Sequence, residues 1–102
     1  MVEIVWTHAA LSDLDAIAEY IALENPAAAK RLVRKVFHHV EHPRSGSKIR
    51  ELKGWRYRQI IEPPCRIFYR QEDTSVYILY VMREERLLRG GILKSRVKQI
   101  KG

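Results

Sequence analysis

Residues 55–83 read WRYRQIIEPPCRIFYRQEDTSVYILYVMR. Three runs within them, Trp55–Ile61, Arg66–Arg70 and Val76–Arg83, are rich in Tyr, Ile, Val and Phe, the side chains that suit a pleated, half-buried surface. Glu62-Pro63-Pro64 separates the first two runs and Gln71–Ser75 the last two, both with turn-forming chemistry. The spacing predicts a three-stranded antiparallel meander. Val76–Met82, VYILYVM, is apolar on both faces, which predicts the central strand of the sheet.

Upstream, the pattern changes period. Val2–Trp6 reads as a short strand, after which Thr7 offers a hydroxyl to cap a helix. Leu11, Leu14, Ile17, Ala18 and Ile21 then recur at three- and four-residue steps and make one apolar stripe. Asp13 and Asp15 fall in the first half of that helix, where carboxylates suit the positive end of its dipole. Asn25-Pro26 ends it and caps a second helix, because proline disfavours helical geometry before it and suits the first helical position. In the second helix Ala29, Leu32, Val33, Val36, Phe37 and Val40 form the stripe, and Lys30, Arg31, Arg34, Lys35, His38 and Glu41 face away. So short a link predicts an antiparallel helical hairpin. His42–Ser47 is a breaker cluster.

Downstream, Gly90-Gly91 breaks the chain, and Ile92–Lys101 carries a weak stripe at Leu93, Val97 and Ile100 that predicts a basic tail helix over the last dozen residues or so. The expected architecture is a single α+β domain over 1–102, in the order βααβββ, with the hairpin on one face of a small, mainly antiparallel sheet. The other face is expected to stay partly open, with Arg, Tyr and Trp supplied to it. Trp6 is expected under the first helix, and Trp55, beside Gly54, at the surface.

Charge narrows the partners. The net charge is +7, with 19 Lys and Arg against 12 Asp and Glu. Residues 1–29 hold five acids and no Lys or Arg, so residues 30–102 carry a balance of +12. From Arg86 onward there are six cations and no acid. Such a field attracts nucleic acid, acidic protein or anionic surfaces. The N-terminus has no basic region ahead of an apolar run, and no apolar stretch approaches the roughly 20 residues that span a bilayer. Cys65 is the single cysteine, so no intramolecular disulfide can form. The expectation is a cytoplasmic protein without a membrane anchor.

These runs, in this order, resemble the ParE/RelE toxin superfamily of type II toxin–antitoxin systems. The resemblance is carried by Val5-Trp6-Thr7, Ala10-Leu11, Asp13-Leu14, Ile17, Tyr20-Ile21, Asn25-Pro26 and Ala28-Ala29. Later it is carried by Pro43, Gly46, Leu52, Tyr57-Arg58, Cys65-Arg66-Ile67-Phe68-Tyr69 and Val76–Val81. Cys65 stands where the superfamily usually has Tyr. The start is more similar to the ParE-like branch. The resemblance implies a βααβββ toxin, associated with plasmid stabilisation and growth arrest. It implies neutralisation by a cognate antitoxin, and a homodimer or a toxin–antitoxin hetero-oligomer as the assembly. It implies no cofactor. The target it implies is DNA gyrase for ParE-like members, or the ribosome and its mRNA for RelE-like endoribonucleases.

Metal-free RNA cleavage needs a base for the 2′-hydroxyl, a cation for the phosphorane and an acid for the leaving oxygen. By the resemblance, the catalytic cations of a RelE-like enzyme fall at Arg58 and Arg66, with Arg83 and Arg86 flanking the position of a third at Glu84. A further family Lys falls at Ile60, and the C-terminal Tyr near Gly90. No Tyr or His follows Tyr80. Arginine stays protonated and makes a poor base. The set is cationic without a proton-transfer partner, which favours a gyrase inhibitor over a nuclease. A basic nucleic-acid-binding domain ranks third, since no recognition-helix or RNP-like motif is present.

The expected target-binding residues are Arg58, Arg66, Arg83, Arg86 and Arg89; the expected antitoxin-binding residues are Lys30, Arg31, Arg34, Lys35 and Trp55. Pairing of Arg58 and Arg66 with Glu62, Glu72 or Glu84 across strands would instead make them purely structural. His38 and His42 have a metal-compatible spacing but no third ligand nearby, and no metal site is expected. Cys65 reads as a strand side chain, not a nucleophile.

Overall fold

The computed structural model describes residues 3–41, 47–49, 52, 56–89 and 91–101. The elements run β1 (Glu3–Trp6), α1 (His8–Ala22), α2 (Pro26–Val40), β2 (Ser47–Lys48), β3 (Arg58–Glu62), β4 (Cys65–Glu72), β5 (Ser75–Arg83) and α3 (Ile92–Lys101). The strands form one sheet in the order β1-β5-β4-β3-β2, antiparallel except for the β1–β5 pair. The two-residue β2 is an addition to the expected order and falls at the end of the stretch read as a breaker.

The two hairpin helices are capped at their starts as their sequences predict. Thr7 Oγ1 accepts from the Ala10 amide at 3.1 Å and also donates to the Ile78 carbonyl at 2.8 Å, so one hydroxyl fixes α1 to β5. Asn25 Oδ1 accepts from the Ala28 amide at 3.1 Å, with Pro26 opening α2. The turns are tight. Pro63-Pro64, joined by a cis peptide, links β3 to β4; Asp73-Thr74 links β4 to β5, with Asp73 at φ 50°. Aspartate tolerates that left-handed geometry better than most residues because its short polar side chain bonds locally.

β5 is central, flanked by β1 and β4. Its pairing with β4 shifts between Phe68↔Tyr80 and Tyr69↔Ile78, which leaves Leu79 as the extra residue of a β-bulge. The bulge changes which residues face which side. Val76, Ile78 and Val81 join the core beneath the hairpin, with Leu14, Leu32, Val36 and Ile67. Leu79 and Met82 join a second core on the opposite face, with Phe68, Ile49, Leu88 and Leu93.

That second core corrects one expectation. The face expected to stay partly open is covered by α3 and the Leu88 segment, and Tyr57, Tyr77 and Tyr80 pack against their cluster. The tail helix therefore serves as a second layer. Trp6 packs against the core cluster that includes Ala10 and Leu14 of α1, and its ring also meets Phe37 of α2, with centroids 4.8 Å apart.

Asp13 is the residue whose sequence reading was furthest from its place. It does not attend the dipole of its own helix. Its carboxylate receives the Arg96 guanidinium of α3 at 3.0 and 3.3 Å and the Val81 amide of β5 at 3.2 Å. Arg96 also donates to the Leu79 carbonyl at 2.9 Å and lies over the Tyr80 ring at 5.1 Å. β1 pairs β5 only as far as Ile78. Beyond it, Asp13 and Arg96 take the place of a neighbouring strand at the Leu79 carbonyl and the Val81 amide.

Candidate functional site

Where β5 outruns β1, an open groove of about 620 Å³ forms between the sheet and α1. One wall is Asp13, Ala16, Ile17 and Tyr20, a second stripe of α1 at helical spacing; the other is the consecutive run Tyr80–Arg83 of β5, continued by Glu85 and Arg86. Successive strand residues point to opposite faces, so a wall of consecutive ones is the strand's own backbone edge.

Charge at the mouth is arranged, not merely abundant. The Arg83 guanidinium donates to Glu85 Oε1 at 2.7 Å and lies 5.6 Å from the Tyr20 ring centroid. Tyr20 is 66 % exposed, which leaves it open to a partner. A backbone amide at Glu85, and then Arg83, hold the Glu85 carboxyl below its ordinary range. Arg86 and Arg89 are exposed, and Leu87 between them is 72 % exposed. The turn thus presents an apolar tip flanked by two cations.

The five arginines expected to bind the target separate in the fold. Arg66 is 1 % exposed, so its guanidinium is not presented to a partner. Its Nε donates to Gln59 Oε1 at 3.0 Å, its Nη1 to the Arg86 carbonyl at 3.1 Å, and it lies over the Phe68 ring at 4.9 Å. It steadies the turn that displays Arg86. Arg58 is half-buried and hydrogen-bonds the Tyr69 side chain, which draws that phenol's pKa down against the larger upward push of burial. In register Arg58 pairs Tyr69 while Arg83 pairs Cys65, four residues along β4. At about 3.3 Å per residue that separates them by roughly 13 Å along the sheet. The structure brings together Arg83 and Arg86, with Arg89 following on the same segment.

Tyr20 and Leu87 were not among the expected site residues. The signal for Tyr20 was present: Asp13, Ala16, Ile17 and Tyr20 repeat at three and four, a stripe overlapping the core one. Leu87 carried no signal, because a pair of adjacent leucines does not say which one faces out.

A second groove, of about 440 Å³, runs between the two helices. Its floor is small and apolar, with Ala18, Ala22, Ala29 and Val33; Asp15 and Glu19 border it from α1, and Lys30 and Arg34 from α2. Lys30, Arg31, Arg34 and Lys35 are all exposed. Trp55 lies outside the described residues, as do Gly54, Gly90 and His42. Cys65 is fully buried, and desolvation pushes its thiol up to about 11, so it stays protonated and unreactive at neutral pH.

A helical hairpin on a small mixed sheet is the α+β fold shared with solved toxin structures of this superfamily. The family described as ParE toxin of type II toxin–antitoxin system, parDE, matches residues 4–88. A relative named Toxin RelE2, from Caulobacter vibrioides, is 33 % identical over 95 residues, covering 85 % of this chain and all of that protein. Among solved structures, the chromosomal ParDE system from P. aeruginosa superposes with a TM-score of 0.68 at 24 % identity, over 83 % of this chain and 98 % of that one. Protein HP0894 from Helicobacter pylori gives 0.54 at 15 %, over 86 % of this chain and all of that one. The chain belongs to the ParE toxin family of type II toxin–antitoxin systems. Membership implies a cognate antitoxin as partner. No described helix is long and apolar enough to cross a membrane.

Proposed function

We propose that this toxin arrests growth by binding DNA gyrase through the Arg83–Arg89 segment, and that it is not a nuclease. One observation carries the reading: the groove's cations are displayed beside carboxylates that are already engaged. Both Asp13 oxygens are bonded to Arg96, and Glu85 is bonded to Arg83 and held ionised. An ionised carboxylate of lowered pKa is a weak base and no acid at neutral pH. Arginines on an exposed turn suit acidic protein surface and DNA phosphate together, through bidentate contacts.

The antitoxin, in this proposal, lays an amphipathic helix in the α1–α2 groove, against Lys30, Arg31, Arg34 and Lys35. The small floor of that groove suits close helix approach, and its borders offer charge of both signs. The name of the RelE2 relative keeps the RNase alternative in view. Two assays on the purified protein separate the activities. Inhibition of gyrase supercoiling with no cleavage in primer extension from a translating extract is the expected result. Codon-register mRNA cleavage that disappears in Arg86→Ala would reverse the assignment.

A further inference from the structure

We propose that the outer face of α2, through Arg31 and Lys35 with Arg34 beside them, binds duplex DNA by its phosphates and without regard to sequence. This is an activity beyond the gyrase reading, and it does not depend on that reading.

The charges of α2 work against the helix that carries them. The helix has no acid in its first turn, and Lys30, Arg31, Arg34 and Lys35 cluster in its middle. Lys30 and Arg34 are four residues apart, as are Arg31 and Lys35, and like-charged pairs at that spacing destabilise a helix. All four are exposed. Among the described residues, no acid lies within ion-pair distance of any of them. Elsewhere the cations are matched: Arg70 with Glu72, Arg83 with Glu85, and Arg96 with Asp13. A charge pattern that helix stability disfavours, and that no internal partner balances, fits an external anion.

Helical spacing divides the four cations. Lys30 and Arg34 border the α1–α2 groove, as do Asp15 and Glu19 of α1. Each following residue is turned about 100° further round the helix, so Arg31 and Lys35 stand on the outer side, away from those acids. The antitoxin helix proposed for the groove reaches that side only at its rim. On the far flank the acid is already engaged, since Glu62 meets His39 at 3.3 Å. The outer stripe reads Ala27, Arg31, Lys35 and His38, all exposed.

The composition of the stripe selects the anion. It holds no aromatic or large apolar side chain. It therefore offers no anchor for a pocket in a protein, nothing to sink into a bilayer, and no ring on which an unpaired base could stack. What it offers is charge at fixed spacing on a helix held to the core by Leu32, Val36 and Val40. Arg31 and Lys35 lie about 6 Å apart along the axis. Duplex DNA presents a phosphate for about every 1.7 Å of its length, both strands counted, so each cation finds one in any register. Contacts of this kind position a protein and read no base, so the lack of a recognition-helix motif is no obstacle. Bound in this way, the toxin would be concentrated on the molecule that its proposed target works on.

The test titrates purified toxin into a short fluorescent duplex of arbitrary sequence over a series of salt concentrations. Binding is expected at low salt and should weaken steeply as salt is added, because each phosphate contact releases counterions. Arg31→Ala with Lys35→Ala is expected to bind at least about tenfold more weakly, and to lower the slope of log affinity against log salt by about two. Alanine is the best helix former at exposed positions, so this variant should fold, which circular dichroism checks. Should it not, Arg31→Gln with Lys35→Gln takes its place. No binding by the natural sequence at low salt would overturn the proposal, as would unchanged affinity and slope in the folded variant. So would a loss confined to Arg86→Glu with Arg89→Glu, which would put the DNA on the turn after β5. Displacement by polyglutamate as effective as by duplex of equal charge would make the stripe a surface for acidic protein, and would also overturn it. Supercoiling inhibition by the same preparations keeps the two readings apart. Toxin that binds DNA but leaves gyrase active loses the gyrase reading alone, and inhibition without DNA binding loses this one alone.

Discussion

The carboxylate of Asp13 and the guanidinium of Arg96 meet in a two-oxygen contact, at 3.0 and 3.3 Å, across 83 positions of sequence. The pair is mostly sheltered, and each partner also bonds the backbone of β5. It joins the first helix, the central strand and the last helix at one point. Removing either partner leaves a sheltered charge and a strand group unbonded. Asp13→Ala and Arg96→Ala are each expected to cost about 2–3 kcal/mol in urea unfolding. The double variant should cost less than the two singles together, by about 1 kcal/mol or more. Additive costs would mean that the two side chains act independently.

Arg66 on β4 bonds the carbonyl of Arg86 in the turn after β5, yet the two arginines are expected to behave oppositely. Arg66→Ala removes a buried cation together with its bonds to Gln59 and to the Arg86 carbonyl, and should destabilise the fold by about 3 kcal/mol. Arg86→Glu and Arg89→Glu alter exposed charges and should leave the circular dichroism spectrum and unfolding midpoint nearly unchanged. The charge-reversed variants are expected to lose supercoiling inhibition and growth arrest. Full toxicity in a folded Arg86→Glu, Arg89→Glu double variant would make those cations a solvated surface and nothing more.

Salt should test the antitoxin contact proposed at the helical groove. Lys30→Glu with Arg34→Glu changes only the border of the helical groove. It is expected to weaken the complex several-fold at low ionic strength, with the difference shrinking as salt is added. A salt-independent loss would point to packing against the alanine floor instead.

Cys65 gives a pH prediction of definite sign. Its thiol is neutral when protonated, and burial raises its pKa from the ordinary 9.0 to about 11. The resulting stabilisation is fully present below pH 9 and is lost as pH rises through 11, since the unfolded thiol ionises first. Unfolding free energy should fall over that window, and Cys65→Ala should flatten the fall. Native protein at pH 8 should resist a thiol reagent until denatured; rapid modification without unfolding would contradict the burial.

Much of the fold was legible because its signals are local. The apolar periods of α1 and α2, the caps at Thr7 and Asn25, and the two-faced Val76–Met82 run each specify their element with no knowledge of the rest. The site was legible only in composition. That Arg83 and Arg86 belong together follows from adjacency in sequence, whereas the burial of Arg66 goes with its bonds to Gln59 and to the Arg86 carbonyl, tertiary contacts that no residue pattern announces. Asp13 was misread for a related reason. A carboxylate near a helix start has a ready local explanation, and its true partner, Arg96, is fixed only by tertiary packing. The bulge at Leu79 left no trace in the residue pattern, because VYILYVM is apolar in either phase.

The place of β5 in the sheet also bears on how the gene fails. The strand on which β1, β4 and α1 all depend comes late in the reading frame, after both helices of the hairpin and its two neighbouring strands. A frameshift or premature stop anywhere before codon 76 leaves a helical hairpin with no sheet to lie against, and a short β1 with no strand to pair. Such products carry neither the groove nor the arginine turn. Disarming mutations are therefore spread over most of the coding sequence, and a cell escaping its antitoxin's loss needs no particular one of them.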